Sequence, residues 1–378
     1  MKNYKALKIN LLYLWYWFWR YYLNKHNIMD MKIKKNTNQN LLNLFTGKMK
    51  VITTLALMWI AMLIMASSLL AQTTATNATP QQMVDALHAA FGKHPNARAV
   101  HAKGIILKGT FFPEPEAAKV SKALHFSGSA SDVTFRFSDF TGIPDIPDTL
   151  GAANPRGLAI KFHLSDGSST DIVSHSFDGF PVATTDEFRE FLLAISKSGP
   201  EVAHPSPLEQ FLSNHPIAKS FVSNQKKPSI SYSTLNYYGV NTFRFTNDAG
   251  VTKLIRYQFI PVQGEQFLTS DQMKSADGDY LSKEIVKRLK KGPVKYRMYA
   301  QLSEDGDKTL DPSVAWPKSR KKILLGILTI NRLSENTLRE DKGLLFNPGN
   351  LPPGIDIADQ MLLDRMKSYP VSVAERNP

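Results

Sequence analysis

The feature that most constrains the fold of this chain is a series of eight short segments rich in β-branched and aromatic residues. They cover residues 100–111, 133–137, 158–164, 171–176, 241–246, 253–261, 294–301 and 322–330. Several alternate apolar with polar side chains, as strands with one buried face do. No glycine-rich phosphate loop follows a strand, and no doubly wound strand–helix–strand run occurs. The pattern predicts an α+β domain built on an antiparallel sheet that can close into a barrel.

Helical patterns lie between and after these segments. Thr79 has the character of an N-cap, Pro80 suits the first helical position, and Gln82 completes a capping box. Gly92 is placed to end this first helix. Further helical patterns cover residues 185–197, 207–213, 271–289 and 356–369. We therefore expect helices to flank the barrel.

The formal net charge of +13 is unevenly distributed along the chain. Residues 1–50 contain ten Lys and Arg and one acidic residue, a net charge of +9, and residues 51–80 contain no charged residue. Residues 81–378 therefore contain 36 Lys and Arg and 32 Asp and Glu, a net charge of +4. This is an ordinary soluble surface, so the charge predicts no nucleic-acid partner. The absence of cysteine excludes disulfides, thiolate metal sites and cysteine nucleophiles.

The N-terminal part of the chain has the pattern of an export signal. Residues 49–71 combine a basic start, an uncharged and mostly apolar run over 51–70 and a small residue at the expected cleavage position, which predicts a signal peptide and a periplasmic protein. The apolar run is long, so an uncleaved inner-membrane anchor facing the periplasm is the alternative. Residues 1–48 are basic and aromatic, and we hypothesise that they are a mis-assigned upstream extension. Residues 72–93 are predicted to form a linker and an N-terminal helix.

Two short motifs near the start of the sheet carry functional information. The first is Arg98-x-x-His101-Ala-Lys-Gly, and the second is Phe-Arg136-Phe-Ser138. Arg136 and Ser138 are two residues apart and share one face of a strand. Both motifs resemble those of the haem catalases, in which the first carries the essential histidine. A lone histidine or a lone Arg-Phe-Ser has a structural role more often than a catalytic one, so the resemblance needs further segments.

Those further segments follow in the order found in catalases. Residues 154–162 read Asn-Pro-Arg-Gly-Leu-Ala-Ile-Lys-Phe, which is close to a long catalase stretch. Near the C-terminus, Phe346 opens the stretch Phe-Asn-Pro-Gly-Asn-Leu-Pro-Pro-Gly-Ile, and Arg365-x-x-x-Tyr369 comes after it. The resemblance covers residues from about 94 to 369 and is collinear. It implies a catalase-like antiparallel eight-stranded β-barrel with flanking helices in residues 94–378, and haem b buried between the barrel and the C-terminal helix.

The resemblance also implies a role for each matching residue. It makes His101 the distal base that moves the peroxide proton, with Ser138 orienting its ring. Tyr369 would be the axial ligand of the haem iron, and Arg365 would help to keep its phenol ionised. The remaining cofactor-binding residues would be Arg98 and Arg136, which bind the haem propionates, and Phe346, which packs against the haem.

The sequence departs from the catalase pattern in three ways. Catalases place an asparagine on the distal side, but residues 171–182 contain none. His175 lies in that segment, either as an ordinary loop histidine near the end of a strand or as an additional distal group. Asn241 stands where catalases usually have histidine. The chain ends nine residues after Tyr369, so we expect it to lack the long C-terminal extension of the family and the NADPH site of some members.

Short, exported chains of this kind resemble the catalase-related peroxidases. The resemblance implies reduction of hydrogen peroxide or organic peroxides by a small organic reductant, with weak catalase activity at most. The alternatives are a true catalase, a haem-dependent hydroperoxide isomerase or dehydratase, and a haem-binding protein without turnover. A membrane is a partner only if residues 51–70 remain uncleaved, and a homo-oligomer is a further expectation.

Overall fold

The computed structural model describes residues 78–224 and 226–376 of the chain. The predicted upstream extension at 1–48, the signal peptide or anchor at 49–71 and most of the linker that follows lie outside these residues. Export to the periplasm therefore stays a prediction. Within the described ranges, no helix combines the length and the apolar character needed to cross a bilayer.

The described residues form nine strands in one antiparallel sheet. The strands are β1 (Gly104–Pro113), β2 (Ser131–Ser138), β3 (Gly157–His163), β4 (Ser169–His175), β5 (Tyr237–Thr246), β6 (Thr252–Pro261), β7 (Val294–Leu302), β8 (Lys322–Leu333) and β9 (Ile355–Ile357). Each of the first eight pairs with its neighbour in sequence, β8 returns to pair with β1, and β9 adds to β5. The pairing of His175 in β4 with Tyr238 in β5 completes the ring. The predicted eight-stranded barrel is thus confirmed.

Ten helices of the described chain flank this barrel. They are α1 (Pro80–Phe91), α2 (Pro115–Ala118), α3 (Thr185–Ser196), α4 (Pro207–Asn214), α5 (Pro216–Ser223), α6 (Ser270–Ser275), α7 (Tyr280–Leu289), α8 (Thr337–Gly343), α9 (Gln360–Arg365) and α10 (Ser368–Arg376). Helix α1 starts as predicted, because Thr79 and Gln82 form a reciprocal capping box and Pro80 opens the first turn. It ends before Gly92, whose φ of 84° is readily adopted only by glycine.

Large apolar side chains fill the interior of the barrel. They include Phe135, Phe137, Phe162, Phe259 and Tyr296, all essentially inaccessible to solvent. Burying one side chain of this size stabilises the fold by roughly 1.5–3 kcal/mol. Because the interior is occupied, any ligand site must lie outside the barrel wall. On β2, the alternation that turns Phe135 and Phe137 inward turns Arg136 and Ser138 outward.

Among the predicted boundaries that differ from the structure, two affect the site. The first strand begins at Gly104 rather than at residue 100, because His101 has a φ of 56° that no strand accommodates. The predicted helix over 356–369 is instead α9 followed by α10, so Arg365 and Tyr369 do not share one continuous helix. Pro370 lies in the first turn of α10, where its missing N–H costs nothing, whereas it would interrupt a continuous helix.

Candidate active site

One cavity of about 1460 Å³, its open mouth included, lies between the outer face of the barrel and several helices. Strands β2, β3 and β4 provide one wall, and α1, α3, α9 and α10 contribute to the other walls. All seven residues predicted for the site line it: Arg98, His101, Arg136, Ser138, Phe346, Arg365 and Tyr369. Segments separated by more than 200 residues in sequence therefore meet at one place, as the sequence predicts.

The His101 imidazole is positioned from several directions. Its Nδ1 lies 3.0 Å from Ser138 Oγ, and its ring packs edge-on against Phe140 with 5.7 Å between ring centroids. The backbone N–H of His101 donates to the Phe140 carbonyl at 2.8 Å, which holds the left-handed bend. Burial first, and then the positive charge of Arg136, lowers the pKa of the imidazole to about 3. The ring is therefore neutral at physiological pH and can accept a proton.

Gly157 on β3 makes the space in which this imidazole lies. A Cβ at this position would lie 2.5 Å from Ser138 Oγ and 2.8 Å from His101 Nδ1. Both distances are far inside van der Waals contact, so any larger side chain would displace the histidine. The glycine of the Asn-Pro-Arg-Gly segment is thus required by the position of the ring.

The Tyr369 hydroxyl is held by a chain of polar side chains. Arg365 Nη2 donates to Tyr369 Oη at 2.9 Å, and Arg365 Nη1 donates to Asn241 Oδ1 at 2.8 Å. Asn241 Nδ2 in turn donates to Asp359 Oδ1 at 3.1 Å, and Asp359 is the N-cap of α9. The asparagine found where catalases usually have histidine therefore orients the arginine that contacts the tyrosine.

Arg98 and Arg136 meet at the carboxylate of Asp341 on α8. Arg136 donates through Nε to Asp341 Oδ1 at 2.7 Å and through Nη2 to Oδ2 at 2.9 Å, while Arg98 Nη2 donates to Oδ1 at 2.8 Å. Burial by itself raises the pKa of Asp341, but Arg136 and Arg98 together hold that pKa well below its ordinary value. Burial and the proximity of Arg136 also lower the pKa of Arg98 to about 9. The cluster thus holds more positive than negative charge.

Arg376 belongs to the same cluster, although the sequence reasoning missed it. It is 3% exposed, lines the cavity and donates to the backbone carbonyls of Lys342 and Leu344. Arg98 donates to the same Leu344 carbonyl, at 2.7 Å. Arg376 follows Tyr369 by seven residues, which is two helical turns, so a helix carried past Pro370 predicts both side chains on one face. That spacing is the signal that could have identified it.

His175 also lines the cavity, at the end of β4, and is only 9% exposed. It is the last residue of that strand rather than part of a loop. Phe346, near the C-terminal end of the sequence, is also buried and lines the same cavity. Lys161 Nζ lies 5.8 Å from the centre of its ring. An imidazole pair, an arginine-supported phenol, a cation cluster and an apolar surface thus surround one cavity.

Comparison with known proteins identifies the family in which this arrangement occurs. A sequence model of the catalase family matches residues 72–377. The chain belongs to the catalase family. The predicted family, and the predicted enzyme class of an oxidoreductase that uses peroxide, are confirmed.

Individual members of the catalase family show where this chain lies within it. The catalase-related peroxidase of Synechococcus elongatus is 32% identical over 308 residues, which are 80% of this chain and 90% of that protein. The catalase-related peroxidase of Mycolicibacterium paratuberculosis is 33% identical over 304 residues, 79% and 95% of the two chains. A crystal structure of a fungal catalase superimposes with a TM-score of 0.67 at 22% identity. It covers 75% of this chain and 60% of its own, and supports the fold alone.

Proposed function

We propose that this catalase-family chain is a haem peroxidase that reduces hydrogen peroxide or an organic peroxide with an organic electron donor. One observation carries the proposal. A single cavity holds a neutral histidine fixed by Ser138 and a tyrosine hydroxyl fixed by Arg365. These are a proton acceptor and a ligand suited to haem iron. The names of the two catalase-related peroxidases support the choice of a peroxidase.

The residues around the cavity fit haem b. Three arginines, Arg98, Arg136 and Arg376, surround one carboxylate, Asp341, which leaves an excess of two positive charges. The two propionates of haem b carry the matching negative charge, and arginine binds carboxylates well because of its forked donors. The walls between this cluster and the Arg365–Tyr369 pair are mostly apolar, as a porphyrin requires, and include Leu158, Ala159, Val173, Leu345, Phe346 and Met361.

Each side chain then has a defined task. Tyr369 would bind the iron through its phenolic oxygen, which the hydrogen bond from Arg365 holds in position. A bound haem, iron and porphyrin together, would supply the two electrons that cleavage of the peroxide O–O bond requires. In the proposed mechanism the neutral His101 ring carries its hydrogen on Nδ1, which faces Ser138 Oγ at 3.0 Å, and Nε2 accepts the peroxide proton. The same nitrogen then returns the proton to the departing oxygen.

Weak catalase activity is part of the proposal. Oxidation of a second hydrogen peroxide needs that molecule to be held on the distal side, and residues 171–182 lack the asparagine that catalases place there. An organic donor then returns the two electrons in place of the second peroxide.

The decisive experiment is the absorption spectrum of the full-length protein loaded with haem, beside Tyr369→Phe and Tyr238→Phe. Tyr238 lines the same cavity but forms no hydrogen bond with Arg365 among the described residues, so it is the matched control. We expect a high-spin ferric, phenolate-type spectrum that is lost in Tyr369→Phe and kept in Tyr238→Phe. A spectrum that is the same in all three proteins would refute Tyr369 as the ligand.

Turnover assays on the loaded protein then distinguish the activities. Consumption of an organic donor with peroxide supports the peroxidase. Rapid oxygen evolution without a donor would make the protein a true catalase, and a rearranged hydroperoxide without donor consumption would make it an isomerase or dehydratase. Haem binding without any turnover would leave a haem-binding protein.

A further inference from the structure

Helix α1 forms one wall of the cavity but does not belong to the core of the barrel. Met83, Val84 and Leu87 line the cavity from this helix. Val84 and Leu87 also belong to a small separate cluster that includes Leu192 of α3. Within the described ranges, the large cluster that fills the barrel contains no residue of α1. The apolar face of α1 therefore packs on a small cluster and on whatever fills the cavity.

One carboxylate ties the polar side of α1 to the C-terminal helix α10. Gln81 Nε2 donates to Glu375 Oε1 at 2.8 Å, and His88 Nε2 lies 2.7 Å from Glu375 Oε2. Lys93, just beyond the end of α1, pairs with the same Oε2 at 3.2 Å. Gln81 and His88 are seven residues apart, which is two helical turns, so both project from one side of α1. We call these three contacts the Glu375 latch.

The Glu375 carboxylate is ionised at neutral pH and lies outside the cavity. Burial by itself raises its pKa, but the hydrogen bonds from Gln81, His88 and Lys93 lower that pKa to about 2. Its neighbour Arg376 lines the cavity, whereas Glu375 does not. Successive residues of a helix project about 100° apart, so the end of α10 presents Arg376 to the cavity and Glu375 to α1. A substitution at Glu375 therefore changes the attachment of α1 without removing a side chain from the cavity wall.

The segment after α1 has the features of a joint. Residues 92–103 contain no helix or strand, and two of them, Gly92 with a φ of 84° and Asn96 with a φ of 58°, bend the backbone. The last residue of α1, Phe91, packs edge-on against Phe140 with 5.7 Å between ring centroids. This contact fixes the C-terminal end of α1 beside the joint. The rest of the helix can then move about that end once its contacts with α10 are released.

We propose that α1 is a lid over the cavity, held closed by the Glu375 latch, and that the latch sets the rate at which haem enters and leaves. The role in haem exchange rests on the proposed function, whereas the latch itself does not. A helix of 12 residues is only marginally stable in water on its own, so α1 loses its backbone hydrogen bonds when it detaches. The exchange of its amide hydrogens with solvent therefore reports how often the lid opens.

A matched pair of variants tests the latch. Glu375→Gln keeps the size of the side chain, removes its charge and replaces one acceptor oxygen with a donor. Asp85→Asn is the control, because Asp85 also lies on α1 but accepts only from Gln81 of the same helix, at 3.0 Å, among the described residues. The first measurement is hydrogen–deuterium exchange in the full-length, haem-free protein. The second is the rate of haem transfer from the loaded protein to an excess of apomyoglobin, followed by absorbance.

We expect the amides of α1 to exchange about tenfold faster in Glu375→Gln, with the barrel strands unchanged, and haem to leave faster by a similar factor. Asp85→Asn should stay within about twofold of wild type in both. If Glu375→Gln does not fold, Gln81→Met removes one donor of the latch and should give about a threefold effect.

The outcomes separate the latch from the proposed function. Unchanged exchange in α1, or an equal rise in the barrel strands, would overturn the latch. Faster exchange in α1 with an unchanged rate of haem transfer would overturn its role as a lid. A wild-type protein that binds no haem would refute the proposed function and the role in haem exchange, while the exchange measurement on the haem-free protein would still decide the latch.

Discussion

Arg365 donates a hydrogen bond to the phenolic oxygen of Tyr369 at 2.9 Å across a break between two helices. The contact survives the break because Asn241 and Asp359 fix the other end of the guanidinium group. This chain of contacts ties the proposed iron ligand to strand β5 and to the cap of α9.

Arg365→Met is expected to weaken haem binding. It removes a charge-assisted hydrogen bond to Tyr369, which is worth about 1.5–3 kcal/mol, so the haem affinity should fall about tenfold or more. Haem titration of the apoprotein measures the effect, and Arg365→Lys, which keeps a positive charge, should lose less. Equal affinity in Arg365→Met and wild type would show that the arginine does not support the ligand.

Asp341→Asn is expected to destabilise the haem-free protein at neutral pH. The change leaves Arg98, Arg136 and Arg376 without their shared carboxylate, so the free energy of unfolding should fall by about 3 kcal/mol. Chemical denaturation measures this loss. Glu340→Gln is the control. Glu340 lies on the same helix as Asp341 and pairs with Lys108 of β1 at a more exposed position, so this substitution should lower the free energy of unfolding by about 1 kcal/mol or less.

The pH dependence of the Asp341 contribution has a definite sign. Its pKa is lowered in the folded protein, so the ion pairs stabilise the fold above the ordinary pKa of aspartate. That contribution is lost as the pH falls through the folded-state value. The difference between wild type and Asp341→Asn should therefore shrink in acid, and a constant difference would contradict the assignment.

Gly157→Ala is expected to displace His101. The added Cβ would lie 2.5 Å from Ser138 Oγ and 2.8 Å from His101 Nδ1, so the imidazole must move. A shift of about 1 Å in a catalytic group can reduce turnover roughly a hundredfold. The measurement is the peroxidase rate of haem-loaded protein, with Gly199→Ala as control, because a Cβ there meets nothing within 4 Å. Full activity in Gly157→Ala would mean that the ring is not confined as the structure shows.

The site residues that the sequence could propose belong to local motifs. His101, Ser138 and Tyr369 each stand in a short segment that resembles catalases, and strand alternation places Arg136 and Ser138 on one face. Asp341 could not be assigned in this way, because only folding brings α8 to Arg136 on β2.

The same limit applies to His175 and to the last helices. The position of His175 beside Gly157 depends on the pairing of β3 with β4, which no local pattern fixes. The break between α9 and α10 was missed because the four-residue spacing of Arg365 and Tyr369 suits one helix. Pro370 was the contrary signal, and in the structure it opens the second helix.

Acid is expected to destabilise the haem-free protein from about pH 6.5 downward. Burial lowers the pKa of His101, His125 and His175 to about 3. Between the ordinary value of about 6.5 and the folded-state value, the unfolded chain binds these protons and the folded chain does not, so stability falls as the pH falls. Each histidine contributes a slope of about 1.4 kcal/mol per pH unit in this window. Chemical denaturation at a series of pH values measures the combined slope.

The contribution of His125 to this pH dependence can be tested separately with His125→Phe, because His125 does not line the cavity. His125 packs against Phe126 and Phe162, with ring centroids at 4.0 Å and 4.8 Å, and neither ring nitrogen has a hydrogen-bond partner among the described residues. A phenyl ring removes two unpaired polar atoms and one titrating group while keeping most of the volume. We expect the free energy of unfolding of the variant to equal or exceed that of wild type at pH 7. The difference should grow in favour of the variant by about 1.4 kcal/mol per pH unit as the pH falls. A variant that loses stability in parallel with wild type as the pH falls would show that His125 takes up its proton in the folded state.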